Sequence, residues 1–176
     1  MQFQWLQRNQ VADILPALKE IFFLSADPRN VTADAAKNEA FFQKWTAYYL
    51  EQRPEWILVA KDKGKLLAYL MCEPDSRKAL SHFEKINPSY RVFEDQFAKF
   101  PAHLHMNAHP EARGRGVGSQ LIDHLVEKLK GINAPGVHLI TSPSQRNASF
   151  YRKNGFTEEV RRDWKGYPLL FMGRKI

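Results

Sequence analysis

Between Arg113 and Ser119 the chain reads Arg-Gly-Arg-Gly-Val-Gly-Ser. Glycine has no Cβ, so Gly114, Gly116 and Gly118 let the backbone take positive φ and let a ligand come close. Leu121, Ile122, Leu125, Val126 and Leu129 then recur at helical spacing from Ser119 to Lys130. The first amides of such a helix have no internal acceptor, and its dipole places partial positive charge there, which suits phosphate. Arg113 and Arg115 add full charges. A glycine-rich turn alone could merely link strand to helix; two arginines and a strong following helix favour an anion site.

Three phosphate-loop patterns compete. A Walker loop requires Lys and then Ser or Thr after its last glycine, whereas Gly118 is followed by Ser119 and Gln120. The dinucleotide fingerprint G-x-G-x-x-G does not fit the spacing of Gly114, Gly116 and Gly118. The pattern Arg/Gln-x-x-Gly-x-Gly/Ala is met in every place by Arg113, Gly116 and Gly118.

Histidines form the second group. His103 and His105 alternate with Leu104 in an extended run from Ala102 to Ala108, so both face one side of a strand. Imidazole is a suitable proton acceptor near neutrality, and His105 is the candidate base, against the plainer reading of hydrogen-bonded structural groups. His138, Glu73 and Asp75 are further candidates; His109 and His124 read as surface positions. His103-x-His105 lacks a third ligand at a convincing spacing, so no metal site is predicted.

The remaining elements must position these groups. A first strand starts near Phe3 and Trp5, and helices are predicted over Val11 to Leu24, through Pro16, and from an N-cap at Thr32 to about Glu51. The second helix carries Phe41, Phe42, Trp45, Tyr48 and Tyr49, mostly for core packing. Trp56 to Lys61 and Lys65 to Glu73 form a hairpin about Asp62-Lys63-Gly64. Residues 74–101 read as an ordered, aromatic-rich insertion with one or two short helices, packed across a sheet edge and shaping a pocket. Val137 to Thr141 is a strand, Ser144 caps a helix through about Asn154, and Phe156 to Val160 and Leu169 to Arg174 form a last antiparallel pair.

The chain has 176 residues, 44% hydrophobic and 26% charged, with a net charge of +7. These figures predict one globular domain with a real core. No apolar run approaches the ~18 residues of a membrane helix, no signal peptide is evident, and Cys72 is the one cysteine. A cytoplasmic protein with no membrane or nucleic-acid partner is expected, the basic residues being scattered and no nucleic-acid-binding signature being present. A homodimer is left open.

The Arg113–Gly118 pattern, with Pro110 and Glu111 before it, resembles the pyrophosphate loop of the Gcn5-related N-acetyltransferase superfamily. Ser144 to Phe156 is similar to the same family's closing motif through Phe150-Tyr151 and Gly155-Phe156. Ser144 stands where the family usually has Asn, with Asn147 one turn further in. Pro101 to His105 and Pro135 to Leu139 also resemble acetyltransferase-like domains related to O-GlcNAc hydrolases. The resemblance covers roughly residues 102–160. It implies an α/β fold with a mixed, mostly antiparallel sheet of six to seven strands flanked by helices on both faces. It implies acetyl-coenzyme A as co-substrate, a primary amine as acceptor and direct attack through a tetrahedral intermediate. Arg113, Gly114, Arg115, Gly116, Val117, Gly118 and Ser119 would hold the pyrophosphate, Met106, Asn107 and Ala108 would line the pantetheine and thioester, and Ser144 and Asn147 would add coenzyme contacts. Tyr151 would contact the coenzyme and protonate the leaving thiolate, and the first two helices with their loop would wall the acceptor site. The competing reading is a non-catalytic acyl-coenzyme A-binding module of the same fold.

Overall fold

The computed structural model describes residues 1–143 and 147–176. Among the described residues, five α-helices and seven strands follow in chain order: β1 Gln2–Trp5, α1 Val11–Ser25, α2 Ala35–Gln52, β2 Ile57–Asp62, β3 Lys65–Glu73, α3 Ser76–Ile86, β4 Ala102–Ala108, α4 Val117–Lys130, β5 Gly136–Thr141, α5 Asn147–Lys153, β6 Glu158–Trp164 and β7 Tyr167–Lys175. The strands form one mostly antiparallel sheet in the order β1-β2-β3-β4-β5-β7-β6. The mixed α/β architecture expected from the sequence is therefore present.

The chain divides into two compact units, residues 1–72 with 105–123, and residues 73–104 with 124–176. In the first unit, β1 and β3 flank β2 antiparallel. Lys63 at φ 48° and Gly64 at φ 84° turn the β2–β3 hairpin. Two consecutive positive φ angles make a type I′ turn, whose twist matches that of the strands, as Asp62-Lys63-Gly64 predicts. Helix α1 runs through Pro16 without ending there. Helix α2 begins later than expected. Asp34, not Thr32, caps it, its carboxylate accepting from Ala36 and Lys37 N–H, while the Thr32 hydroxyl accepts from Asp34 N–H instead. An aromatic cluster joins the two helices, with Phe22 at 5.2 Å from Phe41 and 5.3 Å from Phe42, centroid to centroid.

In the second unit, β5 and β6 flank β7 antiparallel. The last hairpin is longer than the sequence suggested. Lys165 and Gly166, at φ 52° and 85°, make another two-residue turn, so pairing extends to Trp164 opposite Tyr167 and includes Pro168. Among the described residues, β4 and β5 share two parallel register pairs, Ala102 with Val137 and His103 with His138.

Residues 74–101 form α3 and a 3-10 segment, Pro88–Gln96. The segment lies on a sheet face instead of across an edge. Phe93 and Phe100 pack on Phe171 of β7, and Phe97 stacks on His138 of β5 at 5.0 Å. Close approach requires glycine opposite: a Cβ on Gly173 would stand 2.9 Å from the Phe100 ring. Arg162 of β6 secures the segment through both carboxylate oxygens of Asp95.

His138 is the polar centre of this packing and is fully buried. Nδ1 lies 2.6 Å from Phe100 O and Nε2 lies 3.1 Å from Tyr90 OH, which meets Ser76 Oγ at 2.8 Å. A carbonyl only accepts, so Nδ1 carries the proton and Nε2 accepts from Tyr90. Burial pushes the imidazole pKa down to about 3, against the bonds to Phe100 and Ala102, which raise it. The unfolded chain therefore takes up a proton near pH 6.5 that the folded chain refuses until about pH 3, so acid favours unfolding across that window. Stability should fall with decreasing pH below 6.5, with a limiting slope of about 1.4 kcal/mol per pH unit from this histidine. Urea denaturation from pH 7 to pH 4 checks this. His138→Gln should show a shallower pH slope, and an identical slope would remove His138 as its source.

Candidate functional site

The turn after β4 is built as a cradle. His109 N–H bonds to Leu67 O at 2.8 Å and fixes the exit from β4. Pro110–Ala112 makes one 3-10 turn, Gly114 and Gly116 take φ 71° and 72°, and α4 begins at Val117. The Arg113 and Arg115 amides are used internally, on Pro110 O and Ala112 O. The Gln120 amide bonds to Gly116 O, and among the described residues the amides of Gly116, Val117, Gly118 and Ser119 have no backbone acceptor. Four successive donors at a helix N-terminus suit an anion. The α4 apolar stripe anchors them, with Leu121, Ile122, Leu125 and Leu129 fully buried.

The two arginines differ. Arg113 is exposed. The Arg115 guanidinium bonds Asp62 Oδ2 at 2.6 Å and holds that carboxyl below its ordinary range. Glu111 is tied to Lys65, whose Nζ stands 2.8 Å from both carboxylate oxygens. Arg115 is thus partly neutralised and braces the turn against the β2–β3 hairpin.

A pocket of about 210 Å³ opens in the same unit, lined by Phe22, Ser25, Ala26, Phe41, Trp45, His105 and Asn107. Its walls are α1, α2 and β4. No residue of 74–101 lines it, so that segment does not shape this pocket. The Asn107 amide nitrogen lies 2.7 Å from Tyr69 OH and 3.2 Å from His105 Nε2. Tyr69, on β3, is fully buried, and burial raises its hydroxyl pKa. His105 keeps part of its surface open, yet burial of the ring pushes its pKa down to about 4, so it is neutral at pH 7. Among the described residues its Nδ1 has no hydrogen-bond partner.

Sequence reasoning placed His103 and His105 together as candidate bases. The structure separates their surroundings. His103 packs on Phe83, Tyr90 and His138, with ring centroids 5.1–5.5 Å apart. His105 faces the pocket. His138 and Glu73 are fully buried, and Asp75 caps α3, bonding Arg77 N–H and guanidinium. His124 is exposed as expected, whereas His109 is largely covered, its side chain 13% exposed and its Nδ1 accepting from Glu111 N–H. Among the described residues no cluster of metal-ligating side chains occurs. Met106, Asn107 and Ala108 form the end of β4, and the Ser25 hydroxyl donates to Ala108 O at 3.4 Å.

In the second unit, Tyr151 is 5% exposed on α5, edge-on to Phe150 and Phe156. Burial pushes its pKa up to about 12. Asn147 opens α5 and accepts from the Thr141 hydroxyl at 3.3 Å. Ser144, predicted as cap and coenzyme contact, lies outside the described residues. Tyr69, Phe22 and Ser25 had no sequence signal as site residues; Tyr69 stands in a continuous apolar run, where an inward tyrosine reads as core.

Solved structures share the fold. SsHAT superposes with a TM-score of 0.75 at 20% identity, over 99% of this chain and 97% of that one. The ribosomal-protein-alanine N-acetyltransferase from Brucella melitensis matches at 0.60 and 20% identity, over all of both chains. The polyamine N-acetyltransferase of Drosophila melanogaster matches at 0.66 and 14% identity, over 99% of each chain. Residues 53–158 match the family described as "Acetyltransferase (GNAT) domain". That stretch holds β2 to β5, the open amides of the turn and the Asn107–His105 edge of the pocket, and since it makes up more than half of the chain, the protein belongs to the GNAT family.

Proposed function

We propose that the protein transfers the acetyl group of acetyl-coenzyme A to a primary amine. The observation that carries this reading is the run of open amides from Gly116 to Ser119 behind two glycines of positive φ. These donors suit a pyrophosphate, with Arg113 as an exposed cation and Arg115 as the brace. The Met106–Ala108 stretch of β4 lies beyond its two register pairs with β5, which leaves backbone groups there for the pantetheine and for the thioester oxygen as it gains charge. Asn147, and Ser144 by its motif position, add contacts to the coenzyme.

In the reaction the amine lone pair attacks the thioester carbon. A C–N bond forms and the carbonyl π pair moves to oxygen. Collapse of the tetrahedral intermediate breaks the C–S bond, whose electron pair leaves on sulfur. His105 Nδ1 takes the nitrogen's proton after attack, when that nitrogen is far more acidic than a free ammonium, so a base of low pKa suffices. Tyr151, protonated throughout the neutral range, donates its proton to the thiolate and regains one from solvent, to which His105 releases the amine's proton. Coenzyme A leaves as the thiol.

The neighbours of His105 set which nitrogen is free. With the Asn107 amide nitrogen between Tyr69 OH and His105 Nε2, both amide hydrogens are used and the buried Tyr69 hydrogen has no acceptor among the described residues. A half-turn of the amide places Oδ1 there, to accept from Tyr69 O–H and His105 Nε2–H, and the Tyr69 hydrogen gains its acceptor. That state leaves the Nδ1 lone pair without a hydrogen-bond partner among the described residues, as a base requires. Nitrogen NMR of His105 at pH 7 should show Nδ1 unprotonated and Nε2 protonated; the reverse tautomer would remove His105 as the base.

Calorimetric titration with acetyl-coenzyme A, followed by thiol release against a set of amines, tests the whole. Binding with release supports the transferase. Binding without release favours the non-catalytic module, and no binding refutes the anion site.

A further inference from the structure

The pocket beside His105 also carries information about the acceptor. This inference rests on the transferase reading above. We infer that the acceptor is a primary amine borne on a single aromatic ring or an apolar body of similar size, and not a polycation.

Size is the first ground. An apolar cavity of ~150 Å³ accommodates benzene, and this pocket offers about 210 Å³. The space takes one ring with a short chain. It is too small for a peptide of several residues held wholly inside.

The walls are the second ground. Phe22, Phe41 and Trp45 present three aromatic faces from α1 and α2, and Ala26 adds apolar surface. The polar lining is confined to one end, at His105 and Asn107 on β4 and Ser25 at the end of α1. The division matches an amphipathic acceptor whose amine meets the imidazole and whose body lies against the rings.

Charge is the third. Among the described residues no carboxylate lines the pocket. The nearby acid on α2, Glu39, is engaged by Lys19 and by Gln43 Nε2 at 2.8 Å. A guanidinium or second ammonium entering here would lose its hydration without a counter-ion. Aromatic faces do attract cations, but the amine that reacts must be neutral, and an apolar wall favours the neutral form of an amine.

Thiol release measured with 2-phenylethylamine, agmatine, spermidine and an alanine-terminated hexapeptide tests this, with acetyl-coenzyme A binding followed separately by calorimetry. We expect kcat/KM for 2-phenylethylamine to exceed that for agmatine and spermidine by at least roughly tenfold, since one missing polar partner in a specificity site already discriminates on that scale. Phe41→Asp, on a partly exposed helix face, supplies the missing carboxylate and should shift the ratio towards agmatine by at least about tenfold. Agmatine or spermidine leading in the unaltered protein would overturn the inference and make the rings a cation cage, with the transferase reading intact. The hexapeptide leading would overturn it in favour of a protein terminus. Coenzyme binding with release from none of the four would overturn this inference and remove the support for transfer.

Discussion

Gly116→Val weakens acetyl-coenzyme A binding by at least about a hundredfold, the scale of two or more lost charge-assisted hydrogen bonds. Gly116 sits at φ 72°, which a β-branched residue enters only with strain. The single protein atom near a Cβ there is Gln120 Nε2, at 3.8 Å. The added methyl groups therefore meet open space and not the core, and should obstruct a pyrophosphate held on the Gly116–Ser119 amides. Strain and occlusion are separable. Gly64→Val carries the same backbone strain at φ 84°, with nothing within 4 Å, and stands in the β2–β3 turn. It should lose stability, about 1–2 kcal/mol, and bind coenzyme as before. Calorimetry and thermal melts on both variants decide. Retained affinity in Gly116→Val would overturn the anion site.

Tyr151→Phe lowers kcat by roughly 10²–10³, the usual scale for one proton-transfer group, and leaves coenzyme affinity unchanged. Among the described residues the Tyr151 hydroxyl has no hydrogen-bond partner, so its removal strands nothing. The ring keeps its edge-on contacts with Phe150 and Phe156, and the melting temperature should stay close to that of the parent. With pKa held near 12 by burial, the lost function is a proton delivered, not a charge. The parent's activity should accordingly show no Tyr151 limb between pH 6 and 9. Equal turnover in the two proteins would remove Tyr151 from the chemistry.

The glycine turn before α4 was legible because its requirements are local. Positive φ asks for glycine, open amides follow from the helix start, and both lie within seven residues of sequence. The same holds for the Lys63-Gly64 turn and the α4 stripe. Asp34 and Thr32 show the limit of local rules. Both are cap residues, and the choice between them turned on which side chain reached two amides. The pocket was less legible. Phe41 and Phe42 are adjacent aromatics on α2, yet Phe42 is fully buried while Phe41 lines the pocket. That difference depends on how α1 and α2 pack, which no spacing encodes. His138 was read as a further candidate base, and its partners Tyr90 and Phe100 are 48 and 38 residues away. Their meeting is a property of the folded 74–101 segment. Tyr69 was invisible because an apolar strand with a tyrosine reads as core, and it is core; its role comes only from the amide of Asn107 beside it.

Trp45 in the pocket wall gives the protein a built-in optical signal. Indole emission responds to the polarity and quenching groups around it, and a ligand against Trp45 replaces water with its own surface. The other three tryptophans are placed elsewhere: Trp5 and Trp56 pack edge-on against each other at 6.2 Å, and Trp164 sits at the β6–β7 turn. A Trp45→Phe variant removes the reporting indole and leaves these three as background. Difference spectra between the two proteins, taken during titration with unlabelled amines, then read occupancy of the acceptor pocket directly, without coenzyme and without turnover.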